Sequence, residues 1–358
     1  MENKTEQVVL WDVSVATVVK IVAVFLLFAL IYLLRDIAII LLFAIVIASA
    51  VGPFADWVEK KKIPRVFGVA LLYLSIFFLA GFLVSLVVPF VTGEINQLIQ
   101  DLPNFISRVS TSIEKAQQSS GRFTDLFNEI LNLLDSFSAY LQASSTSAFG
   151  FVVSIFGGIL SFLAVIVISF YLSVMKGGTE GFIRAIIPNK YEGHFLNIWR
   201  KSERKVGRWL QGQLLLALIV GLAVYVALSI LGVKFALLLG ILAMILELVP
   251  TVGPVLAAVP AVILAFTQSP VLGLWVIVAY VIIQQLENHI LVPIIMGRTV
   301  GLNPVVVILA ILIGLKLAGI AGMILSVPVA AIIVEILEEF SANKNHRHTN
   351  GEEAVSNV

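Results

Sequence analysis

Seven polar side chains stand out in the apolar second half of the chain: Glu247, Gln284, Gln285, Glu287, Asn288, Asn303 and Lys316. They matter because of what surrounds them. Residues 209–233 and 248–286 contain no Asp, Glu, Lys or Arg, and an unpaired charge at the centre of a bilayer costs roughly 2.5 to 3.5 kcal/mol on insertion scales. A carboxylate kept there exchanges a proton for a cation, binds a polar solute, or pairs with another charge. Glu247 is open to all three readings, with Lys316 as the candidate ionic partner, and an interfacial position is a fourth. Lys316 has its own alternative, since a lysine stem reaches the headgroups and leaves its ammonium in water. Glu287 lies in QQLENH (Gln284 to His289), near the inner end of helix 6 (271–290) and among side-chain amides. His289 titrates near neutrality and suits a proton relay, or is simply a polar residue at a helix end.

Other chemistries lack their constellations. There is no HExxH, no G-x-S-x-G, no membrane-embedded Asp pair and no phosphate-binding P-loop, so no residue is assigned a catalytic role and an enzyme is not expected. The absence of cysteine removes disulfides, thiolate metal sites and cysteine nucleophiles. No metal site and no cofactor is expected. The net charge of +1 suggests no nucleic-acid partner.

The elements that must position the polar residues are membrane helices. Of 358 residues, 59% are hydrophobic and 13% charged, and the mean hydropathy is +1.04; a soluble domain carries about 25% charged residues. Residues 66–93 form a third charge-free stretch, and about 20 apolar residues suffice to cross the bilayer. The sequence predicts an all-α polytopic protein with six full crossings: helix 1 at 13–34, helix 2 at 37–51, helix 3 at 66–91, helix 4 at 149–175, helix 5 at 212–231 and helix 6 at 271–290. No signal peptide is read at the N-terminus. The loop 53–65 gathers Lys60, Lys61, Lys62 and Arg65, and residues 176–208 hold eight bases against three acids. The positive-inside rule puts both on the cytoplasmic side, together with both termini.

Four regions flank or join these crossings. After the N-terminal helices of residues 1–91, residues 92–150 carry six acids against three bases and two runs of helically spaced apolar residues, with a turn at 117–122. They predict an external helical hairpin, either a lid on its own protein or an oligomer contact or vestibule. Residues 151–211 combine helix 4 with the basic segment, where Phe195, Ile198, Trp199, Val206, Trp209 and Leu210 share a face. That face reads as an interfacial helix on anionic membrane lipid, or as an ordinary orientation signal. Residues 212–340 form the expected core, and the polar residues 341–358 a disordered cytoplasmic tail.

Within the core, apolar pieces are broken by Pro and Gly. Residues 235–267 read as helix, break, helix, interrupted at Pro250, Thr251, Gly253 and Pro254; the alternative is a plain surface loop between two thin spans. A shift of 69 positions lays Gly232 on Gly301, Glu247 on Lys316, Pro250 on Gly319 and Gly253 on Gly322, with Pro260 one residue out of step with Pro328. Residues 304–336 then form a second hairpin broken at Gly319 and Gly322. With one crossing between them the hairpins have opposite orientations, an inverted repeat whose tips meet near the midplane.

The stretches ELVPTVGPVLAAVPA (Glu247 to Ala261), QQLENHILVPIIMGRTVGLNP (Gln284 to Pro304) and GLKLAGIAGMILSVPVAAI (Gly314 to Ile332) resemble the AI-2E family of transporters, with weaker support from residues 35–65. The family's pattern falls on Pro250, Gly253, Pro254, Gln284, Glu287, Pro293, Gly297, Pro304, Gly319, Gly322 and Pro328. The resemblance implies a bacterial inner-membrane permease without an ATPase subunit, a homo-oligomer for which a pentamer is one candidate assembly. It implies secondary transport of a small polar solute, with export of the quorum signal autoinducer-2 as the leading expectation. A Na+(Li+)/H+ antiporter is the alternative, and a non-transporting membrane scaffold the reading from another class.

Overall fold

The computed structural model describes residues 33–117, 158–177, 192–296 and 302–356, with Val22, Glu180, Gly181, Arg184, Ile187 and Pro188 as isolated positions. The expected helix 1, the turn at 117–122 and the second helix of the insert lie outside these residues. Among the described residues every regular element is helical. Five helices are long and apolar enough to cross a membrane, and three shorter apolar helices accompany them. The chain is an all-α, polytopic membrane protein.

Helix α1 is Arg35–Lys60. The expected loop at 53–65 is corrected here, because the helix passes through Pro53 and only residues 61–64 turn, with Lys62 at a φ of 63°. Proline supplies no N–H to the carbonyl four residues back and pushes against it. Helix α4 (Glu192–Ile230) packs on this stretch: Gly207 lays its backbone on the Ser49 carbonyl, and Gln211 Nε2 donates to the next carbonyl, that of Ala50, at 2.6 Å. A break that ends a helix in water is thus absorbed by a neighbour.

Helix α2, Arg65–Gln117, has 53 residues and so spans about 80 Å, more than twice the ~30 Å hydrocarbon layer. The separate insert helix expected to begin near residue 95 is the far end of this same helix. It brings Glu94 to the first turn of α5 (Ala236–Leu246), where Glu94 Oε2 accepts the Leu238 N–H at 2.7 Å. A carboxylate suits a helix N-terminus, whose first N–H groups have no partner within the helix. Helix α3, Ile159–Val174, packs between α1 and α2. Tyr73 of α2 donates to Ser169 Oγ of α3 at 3.0 Å.

Helix α4, Glu192–Ile230, is 39 residues long, or about 58 Å. It joins the basic segment and helix 5 into one rod, which corrects the expectation of an interfacial helix on lipid. Ile198, Val206 and Trp209 are buried inside the protein, and Val206 and Trp209 pack with Phe43 and Val46 of α1, Val165 of α3, and Leu325 and Val327. Many bases of the segment are engaged by acids of the same chain: Arg200 with Glu180, Lys176 with Glu59, Lys201 with Glu339 and Lys205 with Glu335. Arg65 joins the same end through Asp56 at 2.6 Å.

Helices α5 and α6 (Val252–Gln268) form the first hairpin, followed by α7 (Pro270–Leu286), a π-helical turn at Glu287–Leu291 and α8 (Val292–Ile295). The main core lies among them: Val220, Val224 and Leu228 of α4 meet Leu239 and Ala243 of α5, Ala257, Ala261 and Leu264 of α6, and Val276 of α7. Gly221 of α4 and Gly240 of α5 bring these two helices so close that a Cβ at either would overlap its neighbour.

Helix α9, Pro304–Ser356, is broken at Ala318 (φ −143°) and Gly319 (φ 59°, ψ −139°). Gly314 and Gly322 sit backbone to backbone across this break, whereas eight residues of straight helix would separate them by ~12 Å. The chain therefore doubles back into a second hairpin. Its outgoing arm continues helically through residues 341–356, which composition assigns to a disordered tail.

Candidate functional site

The break between α5 and α6 is a run of tight turns at residues 247–251. The Val249 N–H donates to the Leu246 carbonyl at 2.9 Å, Gly253 N–H to the Val249 carbonyl at 2.9 Å, and Val252 N–H to the Pro250 carbonyl at 2.7 Å. Pro250 cannot donate, and Thr251 takes a φ of 67°, a region that β-branched residues rarely enter. Gly253 and Pro254 are buried in the first turn of α6, where the Gly253 backbone meets the Leu246 carbonyl with no room for a Cβ.

Glu247 opens this break with 1% of its surface exposed. Its main-chain carbonyl, released from helical bonding, accepts the side-chain amide of Gln213 on α4. Gln213 is equally buried, and the sequence reading missed it. Its only signal in the sequence is that Gln211 and Gln213 are the two amides within the charge-free stretch 209–233. Both donate to a main-chain carbonyl three residues before a proline, Ala50 before Pro53 for Gln211 and Glu247 before Pro250 for Gln213.

The carboxyl group of Glu247 lies against that of Glu287. Glu287 is 5% exposed while Gln285, Leu286, Asn288 and His289 around it are exposed. The π turn accounts for the difference. Pro293 lacks the N–H that would bond the His289 carbonyl, and the Val292 N–H reaches back five residues to the Glu287 carbonyl. The widened turn points Glu287 inward; such turns often occur at functional sites. Gln284 Nε2 donates to Glu287 Oε2 at 3.3 Å, with Asn288 Oδ1 at 3.5 Å. Glu247 Oε2 has no hydrogen-bond partner among the described residues. Two buried carboxylates cannot both stay charged in contact, so the pair requires a shared proton or a bound cation.

The remaining candidates lie apart from this centre. Asn303 caps α9, its Oδ1 accepting the Val305 N–H at 2.9 Å ahead of Pro304, a structural use of a residue read as chemical. Lys316 is exposed and makes no ion pair among the described residues, so the suggested pairing with Glu247 is corrected: Glu247 meets Glu287 instead. Gln285 contributes its carbonyl to His289 Nδ1 at 3.0 Å. Gly319 forms the second break and Gly322 its tight contact. Pro328 is buried in the outgoing arm, and Gly297 lies outside the described residues.

A protein-family model described as AI-2E family transporter matches residues 21–342. The chain is 33% identical over 282 residues to "Putative transport protein YueF" of Bacillus subtilis (strain 168), covering 76% of each chain. It is 25% identical over 346 residues to "Putative transport protein YrrI" of the same organism, covering 95% of this chain and 98% of that one. It is 25% identical over 306 residues to "AI-2 transport protein TqsA" of Escherichia coli (strain K12), covering 84% and 86%. Matched over nearly its whole length by the family model, the chain belongs to the AI-2E family of transporters.

Proposed function

We propose that this chain is a secondary transporter of a small polar solute, driven by a proton or Na+ that the Glu247–Glu287 pair takes up and releases. The observation that carries this reading is the burial of two facing carboxyl groups at a helix break, one of them with an oxygen that has no donor. A proton or a monovalent cation is the smallest species that neutralises such a pair, and its uptake and loss couple a gradient to movement of the surrounding helices.

Opposed hairpins support the same mechanism. The first hairpin opens where Glu94 caps α5, and Glu94 lies 29 residues, or about 44 Å, along α2 from the basic turn at Arg65. The outgoing arm of the second ends on Lys201 and Lys205 of α4, at the basic end. Entry from opposite sides is the arrangement that lets one site face each side in turn. With the basic end cytoplasmic by the positive-inside rule, the protein sits in the inner membrane.

Autoinducer-2 is the first solute to test for export, because one similar protein is named for AI-2 transport. Na+/H+ exchange without solute is the second reading, and the same carboxyl pair favours it. Purified protein in proteoliposomes separates them by solute efflux and internal pH under imposed pH and Na+ gradients. The coupled carrier predicts gradient-dependent solute flux that Glu247→Gln and Glu287→Gln abolish, while the antiporter predicts Na+-dependent proton movement with no solute. A scaffold role is indicated if the parent itself shows neither flux, and normal flux in both variants removes the carboxyl pair as the coupling site.

A further inference from the structure

Most charges at the basic end are settled within the chain, but three consecutive lysines are not. In the turn from α1 to α2 both acids are already taken. Asp56 binds Arg65 at 2.6 Å, and Glu59 binds Lys176 at 2.7 Å and Arg65 at 3.4 Å. Lys60, Lys61 and Lys62 are exposed and make no ion pair among the described residues. At about 100° per residue along α1, Asp56 and Glu59 project to one side and Trp57 and Lys61 to the other. Lys61 Nζ stands 5.9 Å from the centre of the Trp57 ring. Trp57 is itself exposed, as are Ile63, Val66 and Phe67 just beyond the lysines.

The backbone supplies a second, independent observation. Helix α1 closes with two hydrogen bonds that fold its end back: Lys62 N–H donates to the Glu59 carbonyl at 2.9 Å, and Ile63 N–H to the Val58 carbonyl at 3.4 Å. The residue in the place of Lys62 must take a left-handed conformation, here a φ of 63°, and glycine is its usual occupant because it has no Cβ to clash. Strain kept at a single residue points to a use for its side chain. An orientation signal does not account for it. Such a signal counts bases beside the membrane and is met by Lys60, Lys61 and Arg65. It asks neither for an exposed indole next to them nor for a third lysine at a glycine position.

We propose that the α1–α2 turn is a binding site for an anionic phospholipid of the cytoplasmic leaflet, with the headgroup phosphate held by Lys60, Lys61 and Lys62 and the upper acyl carbons lying on Trp57, Ile63 and Phe67. Charge selects an anion, since three cations share this edge with no free acid. The apolar border selects a lipid. Phe67 leads along α2 into Leu71, Leu74 and Phe78, all exposed and spaced by four, three and four residues, so they continue one face into the bilayer. An indole beside ammonium groups at the end of a membrane helix sits at headgroup depth. The site lies at this turn rather than on the basic segment before residue 209, where most bases are spent on acids of the same chain.

Quenching of Trp57 by brominated lipid tests this. The full chain is placed in phosphatidylcholine bilayers with increasing fractions of phosphatidylglycerol, or of phosphatidylcholine, brominated near the headgroup. The contribution of Trp57 among the five tryptophans is the difference from Trp57→Phe. In the parent, brominated phosphatidylglycerol should quench at a much lower fraction than brominated phosphatidylcholine. One lysine near an anionic surface is worth about fivefold in binding. Lys62→Gly should therefore reduce the preference about fivefold, and the triple variant Lys60→Gln, Lys61→Gln, Lys62→Gln should abolish it, while arginine at all three positions retains it. Lys62→Gly keeps Lys60, Lys61 and Arg65 and so keeps the orientation. In lipid-free detergent it should also melt above the parent, because the turn relaxes; a lysine with a purely structural role would not lose binding while stability rises. Equal quenching by the two lipids in the parent, or an unchanged preference in Lys62→Gly, would overturn the proposal. So would relief of quenching by millimolar inorganic phosphate or by poly-glutamate, which would assign the lysines to a soluble anion or to an acidic protein segment.

Discussion

Gly253 and Gly322 close the two hairpins by the same contact, and alanine at either position tests whether the arms touch as described. A methyl group at Gly253 lands on the Leu246 carbonyl and 3.1 Å from the Glu247 nitrogen; at Gly322 it lands on the Gly314 carbonyl and 3.0 Å from Ala318 Cβ. Main-chain atoms cannot rotate out of the way as a side chain can, so the arms must separate. Forcing a methyl into a packed site costs about 1–3 kcal/mol, with backbone contacts at the upper end. Gly52, Gly81 and Gly93 lie inside helices α1 and α2 and have nothing within 4 Å of an added Cβ. Alanine there gains up to ~1 kcal/mol of helix propensity. The two groups should therefore differ by roughly 2–4 kcal/mol in stability. Thermal unfolding of the six purified proteins in one detergent, followed by tryptophan fluorescence and by loss of the size-exclusion peak, reads this difference. Gly253→Ala and Gly322→Ala should melt several degrees below the parent, and the three controls at or above it. Should Gly253→Ala and Gly322→Ala melt among the controls, the close contact within each hairpin is wrong.

Other expectations are more local. Gln213→Leu leaves the Glu247 carbonyl buried without a donor, a loss of about 1–3 kcal/mol, and lowers the melting temperature more than Gln213→Asn in the same assay. Asn303→Ala removes the cap of α9 at a cost of about 0.5–2 kcal/mol, whereas Asn303→Asp retains most of the stability. Lys316→Ala, at an exposed and unpaired position, should leave solute flux in proteoliposomes within about twofold, below the ~10² loss typical when an essential positioned group is removed. The hydrogen bond from Arg200, helped by the nearby guanidinium of Arg184, holds the Glu180 carboxyl below the ordinary carboxylate range. That pair contributes above the unfolded value near 4.3 and is lost as the pH falls through the lower folded value, so the melting-temperature gap between parent and Arg200→Gln should be largest near neutrality and close below about pH 4.

The parts of this architecture that proline and glycine dictate were legible in the sequence. Pro250 and Gly253 mark the first break, and a shift of 69 residues carries Val249 and Pro250 onto Ala318 and Gly319, where the structure bends. Helix lengths were less legible, because composition reports the solvent around a segment and not its backbone. The chain becomes polar near residue 92 and again before residue 209, yet α2 runs on through Pro89 and Gly93 and α4 through Gly207. Pro53 misled in the opposite sense, since the helix continues through it with α4 packed on the Ser49 carbonyl and bonded to that of Ala50. Glu287 was visible as a lone acid in an apolar run, but its inward orientation depends on the π turn that Pro293 induces. The pairing of Glu247 with Lys316 failed for a geometric reason: Glu247 is buried at the first break against Glu287, whereas Lys316 is exposed on α9.

Helix α4 emerges as the frame against which both hairpins are held. Gly221 fixes the incoming arm of the first hairpin, Gln213 grips the carbonyl at its break, and Lys201 and Lys205 clasp the outgoing arm of the second. These contacts differ in strength in a way that ranks the motions. The α4–α5 contact is backbone on backbone within the largest apolar core, so parting it exposes Val220, Val224, Leu239 and Ala243 together and forfeits about 25 cal/mol for each Å² of apolar surface uncovered into water. The clasp at the basic end is made of ion pairs whose side chains are partly exposed, apart from Glu335, and water can take over much of their bonding when they part. The outgoing arm of the second hairpin is thus the cheaper element to move and the first hairpin the more rigid one. Native-state hydrogen exchange follows the same ranking: amides of 320–339 should exchange faster than those of 236–246, and neutralising Glu335 or Lys205 should widen that gap without touching the first hairpin. If α5 exchanged faster than the outgoing arm, the ranking of the two hairpins would have to be reversed.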